Sequence, residues 1–136
     1  MKDLTKEEQM KFGLEHGHSP VADKVVCIDF DNTIIPWKVI DYHHKKALPG
    51  AAKAIRAFKK AGYVVVVFTS RLSPTWHRSA GEDPRAQSRY VVDTLERLGI
   101  PYDIITAEKV PAEYYIDDKA IEFRNNWNEI VERILP

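Results

Sequence analysis

The stretch that most constrains the fold is VVCID at residues 25–29, a short apolar run that ends in a carboxylate. A second run of the same kind, YVVVVFTS at 63–70, ends in two hydroxyl residues. Short, continuous runs rich in β-branched residues are typical of strands that are buried on both faces of a parallel sheet. The sequence therefore predicts an α/β fold with both runs inside the sheet.

Helical patterns alternate with these strands along the chain. Amphipathic helices are predicted at 48–63, 86–100 and 123–135, and two further short strands at 102–106 and 113–117. Strands that alternate with helices favour a parallel sheet with right-handed crossovers. We therefore expect a Rossmann-like, mainly parallel sheet flanked by helices.

The composition of the chain disfavours some classes of function, nucleic-acid and membrane binding among them. The chain has 136 residues, enough for one domain, and 20 basic residues balance 20 acidic ones. A neutral chain is a poor general binder of nucleic acid or of an anionic membrane, and no apolar run approaches the roughly 20 residues that span a bilayer. The single cysteine, Cys27, suits a reducing compartment. We expect a soluble, cytoplasmic protein with no membrane partner.

Polar side chains follow each predicted strand. They are Asp29 and Asp31 after the first, Thr69, Ser70 and Arg71 after the second, Lys109 after the third, and Asp117 and Asp118 after the fourth. The carboxyl ends of parallel strands meet at one edge of a sheet, where such folds bind ligands. Four carboxylates brought together there repel each other unless a cation lies between them. Oxygen ligands favour a hard cation, so the sequence predicts a Mg²⁺ site.

Three motifs carry a resemblance to a known family. DFDNT at 29–33, VVFTSR at 66–71 and EKVPAEYYIDDKA at 108–120 resemble, in order and placement, the four motifs of the haloacid dehalogenase superfamily in its phosphatase branch. The resemblance covers about residues 24–134. It implies a fold of that type, with a catalytic domain over 21–136 and a polar N-terminal extension over 1–20.

The resemblance also implies a role for each position. Asp29 would be the nucleophile that forms an aspartyl-phosphate, and Asp31 the general acid and base. Thr69 would bind the phosphoryl oxygens and Lys109 would neutralise their charge. The metal shell would consist of Asp29, the main-chain carbonyl of Asp31 and the acidic pair at 117–118. Which member of that pair contacts the ion directly stays open.

The spacing of the motifs leaves no room for an inserted cap domain, so we expect an open, cap-less site. An open site suits a bulky phosphorylated substrate or the phosphorylated end of a macromolecule. Alternatively, a second copy of the chain covers the site. Trp37 either stacks on a substrate ring or packs on the protein body. The basic stretch at 71–89 is either an anchor for an anionic substrate or a solvated connector. The candidate substrate-binding residues are Ser70, Arg71, Trp37, Arg78 and Arg85.

The leading interpretation is a Mg²⁺-dependent phosphomonoester hydrolase whose natural substrate the sequence does not identify. The basic stretch supports an alternative, a nucleotide or nucleic-acid 3′-phosphatase. A third interpretation, from another class, is a non-catalytic binding module that retains the fold. It is weaker, because every position that the chemistry needs is filled.

Overall fold

The computed structural model describes residues 23–37, 45–74 and 84–135. The predicted N-terminal extension and Arg78 therefore lie outside the described residues. Four parallel strands form one sheet, β1 (Val25–Asp29), β2 (Val64–Phe68), β3 (Ile104–Thr106) and β4 (Tyr114–Ile116). Helices α1 (Ala51–Lys60), α2 (Pro84–Arg97) and α3 (Trp127–Ile134) accompany the sheet, and a 3₁₀ turn covers Ser70–Leu72. The predicted fold class, a Rossmann-like parallel sheet flanked by helices, is confirmed.

The core lies between the sheet and its first two helices. β1 pairs with β2 in a register that runs from Val25 opposite Val64 to Asp29 opposite Phe68. Alternate side chains of these strands point to one face and form a buried cluster with side chains of α1 and α2; its members include Val26, Ile28, Val65, Val67, Ile55, Val91 and Leu95. Burying each such side chain stabilises the fold by about 1.5–3 kcal/mol. The carboxyl end of β1 is thus held in a rigid frame.

The order of the strands determines where a ligand can bind. The strands lie in the order β3-β2-β1-β4. β2 and β3 are therefore added on one side of β1, and β4 lies on the other side. The strand order therefore reverses between β1 and β4. In open parallel sheets, the crevice at such a reversal is where ligands bind. Asp29 ends one of these two strands, and Asp117 follows the other.

β4 differs from the other strands in its exposure. It corresponds to the strand predicted at 113–117, and every residue of β4 is exposed, with Tyr114 56% exposed. β4 pairs with β1 and forms one edge of the sheet, but β3 forms the other edge and its three residues are buried, so an edge position does not by itself explain the exposure of β4. The apolar residues of α3, among them Trp127, are likewise largely exposed. None of the helices in the described ranges is long and apolar enough to cross a membrane.

The helix predicted at 86–100 begins earlier than expected. α2 begins at Pro84, and a 3₁₀ turn already covers Ser70–Leu72 after β2. Proline suits the first position of a helix, because its fixed φ is already helical and its missing N–H has no partner to lose there. The two undescribed stretches on either side of β2, 38–44 and 75–83, are far shorter than a domain.

Candidate active site

Three carboxylates converge where the strand order reverses. Asp29 is the last residue of β1, and Asp117 and Asp118 follow β4 directly. One carboxylate oxygen from each of the three residues lies within 4.8 Å of those of the other two. The sheet explains the convergence, because β1 and β4 are parallel neighbours with Ile28 opposite Ile116, so the residues that follow each strand meet. Asp29 is half-buried and the other two are exposed.

The pKa of Asp29 is raised from 3.8 to about 7 by its surroundings. Burial of the carboxyl is the largest cause, followed by its hydrogen bond with Asp118 and the negative charge of Asp117. Thr33 Oγ1 donates a hydrogen bond to Asp29 Oδ2 at 3.2 Å, which acts in the opposite direction. A carboxyl whose ionisation is opposed by two neighbouring acids is stabilised by a cation between them. The donor set, all oxygen, fits a hard divalent ion such as Mg²⁺.

The fourth acidic residue, Asp31, is not part of this cluster. Its carboxylate accepts two hydrogen bonds from Arg71, Nε to Oδ2 at 2.8 Å and Nη2 to Oδ1 at 2.9 Å. The pair is mostly buried, with the side chain of Arg71 8% exposed and that of Asp31 19% exposed. Arg71 also donates from Nη1 to Gln87 Oε1 at 2.9 Å, and its guanidinium carbon lies 5.0 Å from the ring centroid of Tyr90. Arg71, predicted to contact substrate, is thus held against Asp31.

A cleft of about 360 Å³ opens beside the two acidic groups. That volume lies at the lower end of the range of small-molecule sites, roughly 300–1,000 Å³. The residues that line it are Asp29, Asp31, Asn32, Trp37, Phe68, Ser70, Asp117, Asp118 and Lys119. Six of these were candidates from the sequence, whereas Asn32, Phe68 and Lys119 were not. The site is therefore one cleft that contains the carboxylates, a hydroxyl, an indole and an ammonium group.

The other predicted residues lie elsewhere. Thr69 is buried, its Oγ1 accepts a hydrogen bond from the Arg71 amide at 3.2 Å, and its own amide donates to the Thr106 carbonyl at 2.9 Å. Lys109 Nζ lies 5.8 Å from the ring centroid of Tyr115. Arg85 lies in the first turn of α2. None of the three is among the residues that line the cleft. Their predicted roles stay predictions.

The loop after β1 is shaped by Asn32, which sequence reasoning missed. Asn32 has a φ of 59°, in the left-handed region that asparagine tolerates better than most residues. Its amide donates to the Ile35 carbonyl at 2.6 Å, and its Oδ1 accepts from the Trp37 amide at 2.8 Å. Ile34 and Ile35 are fully buried and anchor the loop. An asparagine directly after two carboxylates was the available signal for this tight turn.

Comparisons with known proteins bear on the fold. No family model matches the chain, and no curated protein matches it. A target protein from Vibrio cholerae, solved by crystallography, superposes with a TM-score of 0.52 at 19% identity, covering 82% of this chain and 98% of that one. A conserved protein from Bacteroides thetaiotaomicron gives a TM-score of 0.51 at 16% identity, covering 81% of this chain and 88% of the other.

A third solved structure is similar at a lower level. It is a D,D-heptose bisphosphate phosphatase from B. bronchiseptica, complexed with magnesium and phosphate. The TM-score is 0.40 at 22% identity, and the alignment covers 82% of this chain and 63% of that one. Such a low score carries no argument about this chain. The first two likenesses show that the chain shares its α/β fold with the proteins from Vibrio cholerae and Bacteroides thetaiotaomicron.

Proposed function

We propose that the chain is a Mg²⁺-dependent phosphomonoester hydrolase that works through a phosphorylated Asp29. The observation that carries the proposal is the convergence of Asp29, Asp117 and Asp118 within 4.8 Å, with a fourth acid, Asp31, on the wall of the same cleft. A site that only binds a cation has no need of the fourth acid. A phosphoryl-transfer site does, because a proton has to be delivered to the leaving oxygen.

The residues can perform the reaction in two displacements. A carboxylate oxygen of Asp29 attacks phosphorus, the bond from phosphorus to the leaving oxygen breaks, and Asp31 gives that oxygen a proton. In the second step a water molecule attacks phosphorus, Asp31 takes the proton back, and the bond between phosphorus and Asp29 breaks. The covalent intermediate divides one difficult displacement into two easier ones. Inorganic phosphate and an alcohol are the products.

Asp29, Asp117 and Asp118 would hold the metal ion, together with the main-chain carbonyl of Asp31. When bound, Mg²⁺ supplies positive charge that offsets the charges of the carboxylates and of the phosphoryl group. The residues around Asp29 set its orientation, since Thr33 Oγ1 donates to one of its oxygens. Ser70 lines the cleft, and its hydroxyl would donate to a phosphoryl oxygen.

Arg71 would fix the direction of Asp31. A bidentate guanidinium holds a carboxylate in one plane, which an ammonium group does not do. A carboxylate has about four lone-pair positions, so two remain for a proton after Arg71 has taken one on each oxygen. Asp31 can therefore exchange a proton with substrate or water while it stays bonded to Arg71.

The test is hydrolysis of a panel of phosphomonoesters with Mg²⁺ present, by the wild type, Asp29→Asn and a control variant, Asp93→Asn, whose carboxylate is exposed on α2. The wild type and the control should release phosphate at equal rates, and Asp29→Asn should lose nearly all activity. Acid quenching followed by borohydride reduction should convert a phosphorylated Asp29 to homoserine, which mass spectrometry detects at that position. Equal turnover in Asp29→Asn would exclude the covalent route.

The same panel decides between the alternatives. Activity confined to 3′-phosphorylated nucleotides or oligonucleotides would favour the nucleic-acid 3′-phosphatase. In the described part of the basic stretch, Arg71 pairs with Asp31 and therefore does not support that interpretation. Binding of phosphorylated compounds without any turnover would favour the non-catalytic module.

A further inference from the structure

We propose that Trp37 forms a stacking subsite for the leaving group, so that the preferred substrates are phosphomonoesters whose leaving group contains a planar aromatic ring. This inference rests on the proposed phosphatase function and names the substrate class of that same site. Its support comes from the way in which the backbone and the ring of Trp37 are held beside Asp31.

The backbone of Trp37 is fixed on both sides. Its amide donates to Asn32 Oδ1 at 2.8 Å, and its carbonyl accepts from Lys45 Nζ at 3.2 Å. Lys45 is itself only 1% exposed, so this second bond comes from a side chain that the fold holds in place. The indole is thereby attached to the rigid loop that follows β1.

The ring is supported on one face. The guanidinium carbon of Arg71 lies over it, 5.2 Å from the centroid, within the range of a cation–π contact. Even so, Trp37 is 43% exposed, and it lines the cleft. Trp127 provides a contrast, because it is 68% exposed but does not line the cleft. An aromatic side chain that is ordered before binding loses little conformational freedom when a ligand stacks on it.

The position of Arg71 also indicates which part of a bound substrate would contact the indole of Trp37. Its guanidinium bonds both oxygens of Asp31 and lies over the ring of Trp37. Asp31 is the residue that gives its proton to the leaving oxygen in the proposed reaction. The group attached to that oxygen therefore lies next to Trp37. A planar ring presents a π face to the indole and gains stacking energy there, which an alkyl chain of the same length does not.

The subsite predicts selectivity between leaving groups. Stacking of one ring on an aromatic side chain is large enough to change affinity about tenfold. The contact is made equally in the ground state and the transition state, so its loss should appear mainly in KM. We expect the wild type to prefer phenyl phosphate over ethyl phosphate, and Trp37→Ala to reduce the ratio of the two kcat/KM values about tenfold.

The experiment compares Trp37→Ala, Trp37→Leu, Trp37→Phe and the control Trp127→Ala on phenyl phosphate and ethyl phosphate with Mg²⁺. Trp37→Leu keeps apolar bulk against Arg71 without a π face, and Trp37→Phe keeps a smaller π face. We expect the ratio to fall for Ala and Leu, to be retained in part for Phe, and to stay at the wild-type value for Trp127→Ala. If Trp37→Ala does not fold, the comparison of Trp37→Leu with Trp37→Phe tests the subsite. Nucleoside monophosphates form a further arm that separates nucleobases from simple aryl groups.

Calorimetry separates the failure of this proposal from the failure of the phosphatase function. Phenylphosphonate and methylphosphonate are not hydrolysed, so their affinities with Mg²⁺ present report binding alone. Tighter binding of phenylphosphonate that is lost in Trp37→Leu supports the subsite even in a protein without turnover. If the wild type and all Trp37 variants hydrolyse both esters with the same ratio of kcat/KM values, the subsite proposal is wrong and the phosphatase proposal is retained.

Discussion

Arg71 binds both carboxylate oxygens of Asp31, at 2.8 Å and 2.9 Å, and so holds this acid apart from the cluster that Asp29 forms with Asp117 and Asp118. The two acids of the DFD sequence lie two residues apart but have different environments. Asp29 is surrounded by negative charge, whereas Asp31 is matched with a buried cation. A nucleophile has to be ionised, so the proposed role of Asp29 depends on a cation that offsets the charges of Asp117 and Asp118.

We predict that Arg71→Ala lowers the free energy of unfolding by about 2–3 kcal/mol. The substitution leaves a mostly buried carboxylate without its cation, and the partial exposure of Asp31 keeps the cost below that of a fully buried pair. Because Asp31 also loses its orientation, kcat should fall at least about tenfold. Urea unfolding and steady-state kinetics measure the two effects.

Arg71→Lys and Arg124→Ala serve as comparisons. Lysine keeps the charge but not the bidentate geometry, so Arg71→Lys should recover part of the stability and little of kcat. Arg124 pairs with Glu122 at 2.7 Å on the surface, where both side chains are more than two-thirds exposed, so Arg124→Ala should have almost no effect. Wild-type kcat in Arg71→Lys would show that charge alone, and not geometry, is what Asp31 needs.

We predict that Asp29→Asn stabilises the metal-free protein, and more so as the pH rises. The pKa of Asp29 is about 7 in the folded chain and 3.8 as its ordinary value, so the folded state holds a proton that the unfolded state releases. The stability that this proton provides is complete below about pH 3.8 and is lost as the pH rises through about 7. Asparagine does not ionise and avoids that loss.

The advantage of Asp29→Asn should therefore be small near about pH 4 and reach about 1–2 kcal/mol above about pH 7, a discounted value because water screens a half-exposed group. Thermal melting with a chelator present, at several pH values, measures the difference from the wild type. Adding Mg²⁺ should reduce or reverse it, since the ion stabilises the ionised carboxylate. An advantage that does not change with pH would contradict the assignment of the repulsion to Asp29.

We predict that Mg²⁺ is required for activity and raises the melting temperature. At ten times its dissociation constant, an ion that binds only the folded state adds about 1.4 kcal/mol of stability. Asp118→Asn should weaken Mg²⁺ binding more than Asp117→Asn. Asp118 forms a hydrogen bond with Asp29, whereas Asp117 Oδ1 accepts from the Lys119 amide at 2.9 Å and so helps to close the turn. Ca²⁺ should inhibit, because it prefers more ligands at longer distances.

Melting curves across a Mg²⁺ titration test this ranking, with Asp93→Asn as the control. Equal loss of the Mg²⁺-dependent shift in Asp117→Asn and Asp118→Asn would show that both carboxylates contact the ion. Full activity after chelation and dialysis would contradict the metal requirement itself.

The sequence predicted the sheet and three of the four carboxylates of the acidic cluster, but not the separation of Asp31 from them. A continuous apolar run such as 64–68 has few alternatives to a buried strand, and residues that end neighbouring parallel strands meet. It did not predict that Arg71 turns toward Asp31. Whether an arginine contacts a substrate or another residue of the protein depends on the three-dimensional positions of the two side chains, which the sequence does not give. Lys119 was missed because an exposed lysine after an acidic pair has no distinctive pattern. The exposure of β4 was not predicted either, because an apolar run such as 114–116 does not reveal which faces of a strand the rest of the fold covers.

The two lysines near the site occupy different positions. Lys109 is the residue that the family resemblance selects to neutralise the phosphoryl group, but its Nζ lies by the ring of Tyr115, 5.8 Å from the centroid. Lys119 lines the cleft next to Asp117 and Asp118. Both are exposed, so neither ammonium group is confined by packing.

We predict that Lys109→Ala lowers kcat about hundredfold, while Lys119→Ala mainly raises KM, by about tenfold or less. The cation–π contact of Lys109 is a weak one at an exposed site, about 0.5–1 kcal/mol, so a phosphoryl dianion can draw its ammonium away from Tyr115. A donor to charge that develops in the transition state typically contributes a factor of 10²–10³ to kcat. Lys119, at the wall of the cleft, would attract the substrate before and during the reaction alike, which affects KM.

Steady-state kinetics on phenyl phosphate with saturating Mg²⁺ measure both variants, with the exposed Lys53→Ala of α1 as the control. The reverse pattern, with kcat lost in Lys119→Ala and kept in Lys109→Ala, would transfer the catalytic role to Lys119.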